Sequence, residues 1–395
     1  MTRFSTRAIA AATRPPRVDQ VPSSVPIYQA AAFSTGDAAE LGDVLTGAIP
    51  GYAYSRIDNP TTAALGSAIA ELEGAESGLA FATGMSAIHA AIVSVVRAGQ
   101  TIVATSAVYG TTRDLMVRIL GGLGITTEFV DPRDVAAVDA ALARTGAPIL
   151  YIETVSNPTI VVSDLAALAG VAHARGALLL VDNTFASPYS CRPIELGADL
   201  VMHSATKYLS GHSDVLAGVV VGSRARVDAV RPVLVDVGGA LAPIAAWLVL
   251  RGLPTLAIRM ERHSATALEL AAWLTGQDGV ERVFYPGLPT DASHEVASRQ
   301  LDVFGGMLAF ELAGGREAGR AFLDAMRIGE RTASLGSIRT IISHPSSTTH
   351  RQLDAAALAA AGIAPGLLRI SVGLEDVEDL REDLEVALAA ARAAA

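Results

Sequence analysis

Leu178-Leu179-Leu180-Val181-Asp182-Asn183-Thr184 is a run of four apolar residues that ends on a carboxylate and enters a turn. Uninterrupted apolar residues, rather than alternation with polar ones, mark a strand covered on both faces. Asn183 and Thr184 are turn formers. Upstream, Asp164 to Arg175 has a helical pattern that starts behind Ser163, a candidate N-cap, and stops at Gly176. Ile149 to Glu153 precedes it as another strand, with Thr101 to Thr105 and Thr127 to Asp131 before that. Downstream, Leu200 to Ser204 and Val219 to Val221 repeat the motif. Strands alternating with helices from about Ala53 to Gly222 predict an α/β region with a mostly parallel sheet.

The texture changes after about Pro254. A long helix candidate (Thr255 to Thr275) is followed by short strands at Arg282 to Tyr285, Met307 to Leu312 and Thr340 to Ser343. Helical patterns lie near Ala318 to Met326 and over Asp376 to Ala393, the last with acids in its first turns and Arg392 near its end, as a helix dipole favours. We therefore expect a smaller α+β domain over 255–395, a large domain over 59–254, and an extended N-terminal arm over 1–58. A length of 395 residues agrees with more than one core. A mean hydropathy of +0.39 comes with apolar runs of strand length only, so no membrane span is expected. The net charge of −10 and dispersed arginines argue against nucleic acid. The single cysteine, Cys191, excludes an internal disulfide and a thiolate metal cage, and fits a reducing, cytoplasmic compartment. Met1 to Arg17 is rich in arginine and free of acids, like a transit peptide, but carries no clean amphipathic stripe and reads better as part of the arm.

Chemistry gathers at strand ends of the large domain. Lys207, in His203-Ser204-Ala205-Thr206-Lys207-Tyr208, is the only lysine; the other 29 of the 30 Lys and Arg residues are arginine. An amine can lose its proton and condense with a carbonyl, which guanidinium does poorly, so Lys207 reads as a Schiff-base lysine. Gly84-Met85-Ser86 follows an apolar strand and opens a helix, placing free N–H groups where an anion can bind. Ser204 and Thr206 are near enough to Lys207 to serve the same phosphate. Asp182, at the end of a buried strand, needs a cationic partner, and a protonated pyridine nitrogen would be one. Singly, these are also a chance lysine, a glycine turn, self-satisfied hydroxyls and a turn aspartate. Together they are the parts pyridoxal phosphate requires. His203, His212 and Asp214 lack the spacing of a metal site, and none is expected.

Tyr54-Ser55-Arg56-Ile57-Asp58-Asn59-Pro60-Thr61, Thr83-Gly84-Met85, Tyr109-Gly110, Glu153 with Asn157-Pro158, Val181-Asp182-Asn183-Thr184, Ser204 to Tyr208 and Arg369-Ile370-Ser371-Val372-Gly373 resemble the trans-sulfuration enzymes. That pyridoxal phosphate family of Cys/Met metabolism includes methionine γ-lyase, cystathionine γ-lyase and the homoserine-ester sulfhydrylases. The likeness runs from Phe4 to about Leu388. It implies an aspartate-aminotransferase-like (fold type I) large domain. It also implies that Lys207 carries the cofactor and moves the Cα and Cβ protons, that Asp182 pairs with the ring nitrogen, and that Tyr109 stacks on the ring near the leaving group. Gly84, Met85, Ser204 and Thr206 would hold the phosphate, joined by Tyr54 and Arg56 of a second subunit; Arg369 would clamp the substrate carboxylate, assisted by Ser334 and Asn157. Shared sites imply a homo-oligomer, a tetramer built from dimers.

Departures narrow the substrate. Members that handle cystathionine resemble one another in carrying a glutamate before the serine of the Ser-Leu-Gly turn; here that residue is Ala333. An alanine offers a distal ammonium no partner, and burying an unpaired ammonium is costly. Methionine lyases typically have cysteine two residues after the stacking tyrosine, where this chain has Thr111, and often a lysine where it has Val235. His344 to His350, Ala361-Gly362-Ile363 and Pro365-Gly366-Leu367 look more like the sulfhydrylases. The expectation is a methionine γ-lyase-like γ-elimination giving a thiol, 2-oxobutanoate and ammonia. Replacement at Cγ of O-acetyl- or O-succinylhomoserine is the alternative, ahead of a cystathionine enzyme, an aminotransferase or a non-catalytic regulator.

Overall fold

The computed structural model describes residues 20–348 and 363–395. The basic stretch Met1 to Arg17 and the pair Ala361-Gly362 lie outside the described residues. The first sheet comprises β1 (Ser77–Phe81), β2 (Thr101–Thr105), β3 (Thr126–Val130), β4 (Ile149–Glu153), β5 (Leu178–Asp182), β6 (Leu200–His203) and β7 (Gly218–Gly222), in the spatial order β1-β7-β6-β5-β4-β2-β3. β7 runs antiparallel to β1 and β6; the other pairs are parallel. Leu179 and Val181 enter one apolar layer and Leu180 the opposite one, which is why β5 has no polar alternation. Leu179 and Leu180 are fully buried, so truncating either to alanine costs about 2–5 kcal/mol. Asp182 lies directly opposite Glu153 on the neighbouring strand.

The helices that matter for the site are α1 (Pro60–Glu73), α2 (Gly84–Val95), α3 (Leu165–Ala174), α4 (Leu256–Thr275), α5 (Gly315–Ala325) and α6 (Val377–Ala394). Side chains of Asn59, Thr83 and Asp164 cap α1, α2 and α3. The cap of α3 is thus Asp164, not Ser163, whose hydroxyl instead donates to the Glu153 carbonyl at 2.9 Å. β3 ends at Val130 rather than Asp131, because Asp131 turns out to bond Arg133. β6 stops at His203, since Ser204 already enters the turn to Lys207.

β8 (Val280–Phe284), β9 (Met307–Leu312), β10 (Glu330–Arg331), β11 (Ile341–Ser343) and β12 (Leu367–Ser371) form a second sheet in the order β10-β11-β12-β9-β8. β8 starts two residues earlier and α5 three residues earlier than the sequence pattern suggests. α5 and α6 cover this sheet, with Phe322, Leu384 and Leu388 in its core. Leu256, Met260, Met307 and Leu335 belong to the same apolar cluster as Leu179 and Val201, so one core continues beneath both sheets. No helix among the described residues is long and apolar enough to cross a membrane.

Candidate active site

A cavity of about 240 Å³ opens where the C-terminal ends of β4 and β5 and the turn after β6 face the start of α2, the segment Ala333-Ser334-Leu335 and Arg369 of the second sheet. Lys207 reaches into it from the turn after β6 and donates a hydrogen bond from Nζ to Ser334 Oγ at 3.0 Å. Burial pulls its pKa from 10.5 down to about 8, with the Arg369 charge assisting. Ser334 is fixed in turn by Gly336, whose φ of +73° and closeness to the lysine's own backbone demand glycine. A Cβ there would stand 2.7 Å from the Tyr208 amide nitrogen.

Across the cavity, Asp182 Oδ1 accepts the Thr184 N–H at 3.0 Å, and Oδ2 lies 3.4 Å from the Tyr151 hydroxyl. Burial raises the Asp182 pKa, opposed by the Thr184 hydrogen bonds and the neighbouring His203. A fully buried network stands behind it. His203 Nε2 is 2.6 Å from Glu73 Oε1, and Asn183 Nδ2 donates to that same oxygen and to the Cys191 carbonyl, both at 2.8 Å. Glu73 Oε2 has no partner among the described residues. Glu153 completes this wall; burial first and the Asp182 charge second push its pKa well above the carboxylate range.

Arg369, on β12, brings a second cation to the cavity. One terminal nitrogen donates to Asn157 Oδ1 at 2.7 Å and the other to the Ser334 carbonyl at 3.1 Å. Its Nε is buried without a partner among the described residues, and burial lowers its pKa to about 10. Such a guanidinium is oriented yet under-satisfied, which suits capture of a carboxylate.

The residues present fit pyridoxal phosphate. At the head of α2, Thr83 Oγ1 takes the Ser86 N–H at 3.0 Å, while Gly84 and Met85 line the cavity with first-turn amides that the helix cannot satisfy. Gly84 is required by close approach: a Cβ would lie 2.8 Å from Ser204 Cβ. Thr206 also lines the cavity, though its hydroxyl bridges the Ala217 backbone N–H and C=O at 3.0 and 3.3 Å. No basic side chain forms an ion pair with Asp182 among the described residues, leaving room for a ring-nitrogen cation.

The sequence-predicted residues Lys207, Asp182, Gly84, Met85, Ser204, Thr206, Tyr109, Asn157, Ser334 and Arg369 all line this one cavity, as does Ala333. Tyr54 and Arg56 do not. Arg56 donates to the Val235 carbonyl at 2.6 Å and sits 5.5 Å from the ring of half-exposed Tyr54, beside a different surface hollow. Thr111 is exposed and outside the cavity. Sequence reasoning missed Tyr151, Thr184 and the Glu73–His203 pair as parts of the site, and left Glu153 without a role. The signals for Glu153 were its place beside Asn157-Pro158 in the family resemblance and the fact that the apolar runs Ile149–Glu153 and Leu178–Asp182 both end on an acid.

A family model described as "Cys/Met metabolism PLP-dependent enzyme" matches residues 5–389. The chain is 43% identical to an L-methionine gamma-lyase of Pseudomonas putida over 92% of each protein. It is 41% identical to an O-succinylhomoserine sulfhydrylase of Pseudomonas aeruginosa over 98% of this chain and 95% of that one. Among solved structures, a putative O-acetylhomoserine (thiol)-lyase of Campylobacter jejuni superposes with a TM-score of 0.89 at 30% identity, covering 93% of this chain and 95% of that one; it carries N'-pyridoxyl-lysine-5'-monophosphate at its position 205. The aspartate-aminotransferase-like (fold type I) architecture and the cofactor follow from these matches. With its cavity and its sequence in agreement over nearly the whole length, this chain belongs to the pyridoxal phosphate-dependent enzymes of Cys/Met metabolism.

Proposed function

We propose that the enzyme eliminates the γ-substituent of an L-amino acid with an uncharged side chain, in the manner of methionine γ-lyase, taking up water and releasing a thiol, 2-oxobutanoate and ammonia. The observation that carries the reading is the Ala333-Ser334-Leu335 edge of the cavity, which offers no charge to a distal ammonium; among the described residues the acids lining the cavity are Glu153 and Asp182, on the opposite wall. Bound pyridoxal phosphate supplies an electron sink for the pair left when the Cα–H bond breaks. Lys207 would hold the cofactor and then carry protons between Cα and Cβ, a task its pKa of about 8 supports. Asp182 would keep the ring nitrogen protonated. Tyr109 would stack on the ring and hand a proton to the leaving sulfur. The Gly84 and Met85 amides with Ser204 and Thr206 would bind the phosphate, and Arg369 with Asn157 and Ser334 would hold the substrate carboxylate.

The relatives include both a lyase and a sulfhydrylase at nearly equal identity, so γ-replacement of O-acetyl- or O-succinylhomoserine is the second reading. In either, residues 1–58 would form the arm, 59–254 the cofactor domain and 255–395 the C-terminal domain, a division that the two separate sheets support. Tyr54 and Arg56, which stand away from their own chain's cavity, would complete that of a neighbour, giving a homo-oligomer built from dimers and probed by sedimentation. A cytoplasmic location belongs to the same reading, supported by the lone buried Cys191. The test is turnover of L-methionine, O-acetyl-L-homoserine, O-succinyl-L-homoserine and L-cystathionine, with and without sulfide. Methionine cleavage without sulfide supports the first reading; thiol formation only with a homoserine ester and sulfide supports the second, and cystathionine far ahead of all others overturns both.

A further inference from the structure

Tyr109 has a half-exposed ring whose hydroxyl makes no hydrogen bond among the described residues, so nothing at the phenol end fixes where the ring stands. The short helix Gly110–Asp114 that follows lacks a side-chain cap of its own. Its place is taken from outside: Glu153 Oε1, at the end of β4, accepts the Tyr109 N–H at 2.7 Å. Asn157, four positions after Glu153, lines the same cavity as Glu153 and Tyr109. Asn157 Oδ1 in turn holds Arg369 at 2.7 Å.

We propose that Glu153 is a positioning residue of this site, a carboxyl group that anchors the start of the Tyr109 helix to the end of β4 and so sets where the Tyr109 ring stands. Glu153 is buried, stands in register with Asp182, and shares the cavity with Lys207 and Arg369. A carboxyl that only filled space would have no reason to accept the amide of Tyr109, 44 positions away in the chain. The acceptor oxygen does the work here, not a negative charge, so an amide at the same position should serve.

The kinetic part of this inference rests on the proposed reaction; the structural part does not. In the apoprotein, hydrogen exchange of the Tyr109 amide should rise about tenfold in Glu153→Ala, the effect of one lost hydrogen bond, and stay within about twofold in Glu153→Gln. In the loaded enzyme, Glu153→Ala should lower kcat with a smaller change in KM, because the Tyr109 ring drifts while the Arg369–Asn157 pair stays in place, and Glu153→Gln should restore kcat to within about threefold. Unchanged exchange at Tyr109 in Glu153→Ala, or equal damage from alanine and glutamine, overturns the proposal. If Glu153→Ala does not fold, Glu153→Asp, which withdraws the oxygen by one methylene, is read by the same exchange measurement with the same two outcomes. Exchange that behaves as expected while methionine is not cleaved would refute the substrate and leave Glu153 in its role.

Discussion

The two walls of the cavity carry opposite charges yet respond to burial in the same way. On the strand-end wall, Glu153 and Asp182 are driven toward the protonated, neutral form; on the facing wall, Lys207 and Arg369 are driven toward the deprotonated, neutral form. Burial is the largest cause for all four. Among the described residues, neither Asp182 nor Arg369 has an ion-pair partner. Surface pairs such as Arg133–Asp131 and Arg299–Glu295 differ in holding both partners within the protein, exposed to water and worth little. The comparison teaches that the cavity's charged groups, unlike the surface pairs, are left without ion-pair partners among the described residues.

Removing the amine from the cationic wall should break the comparison most severely. Lys207→Arg keeps the charge but not the nucleophile, and kcat should fall on the order of 10⁴-fold with loss of the visible cofactor band. A variant that stays yellow through a borohydride-stable adduct would contradict the assignment. Lys207→Met isolates the burial cost in the apoprotein. The folded pKa of about 8 lies below the ordinary 10.5, so the unfolded chain binds the extra proton between those values and wild-type stability rises with pH across that window. Below pH 8 the full cost is present, and Lys207→Met should be more stable by roughly 2–3 kcal/mol at pH 7 in urea unfolding, an advantage that shrinks above pH 8.

On the same wall, Arg369→Lys retains charge without the planar fork, and KM for the amino acid should rise about 10- to 100-fold with a smaller change in kcat. The mildest change adds a third acid to the cavity. Ala333→Glu should raise the cystathionine-to-methionine ratio of kcat/KM about tenfold, and an unchanged ratio would remove the specificity argument.

Strands β2, β4 and β5 were legible to the residue because both faces are buried and each apolar run ends at a turn former or an acid. The edges were less so. Asp131 reads as part of a strand until its pairing with Arg133 is seen, and Ser163 looks as good a cap as Asp164 until its hydroxyl is found on Glu153. In the site, residues with distinctive chemistry such as Lys207, Asp182 and Arg369 stood out. Glu73 and His203 did not, because a buried polar pair 130 positions apart is invisible until α1 is laid against the end of β6. The hydrogen bond between Glu153 and the Tyr109 amide joins positions 44 apart, which no local pattern encodes.

Gly336 leaves the loop bearing Ser334 and Ala333 no clearance from the backbone of Lys207 and Tyr208. Under the proposed roles, substrate choice would vary through what projects from this segment, because lengthening or re-routing it would shift Ser334 and with it the Lys207 amine. Ala333 is exposed, so its side chain can change without moving Gly336, whereas an insertion beside it would disturb the Lys207–Ser334 contact. A designer seeking new substrates has a changeable tip mounted on an immovable stem.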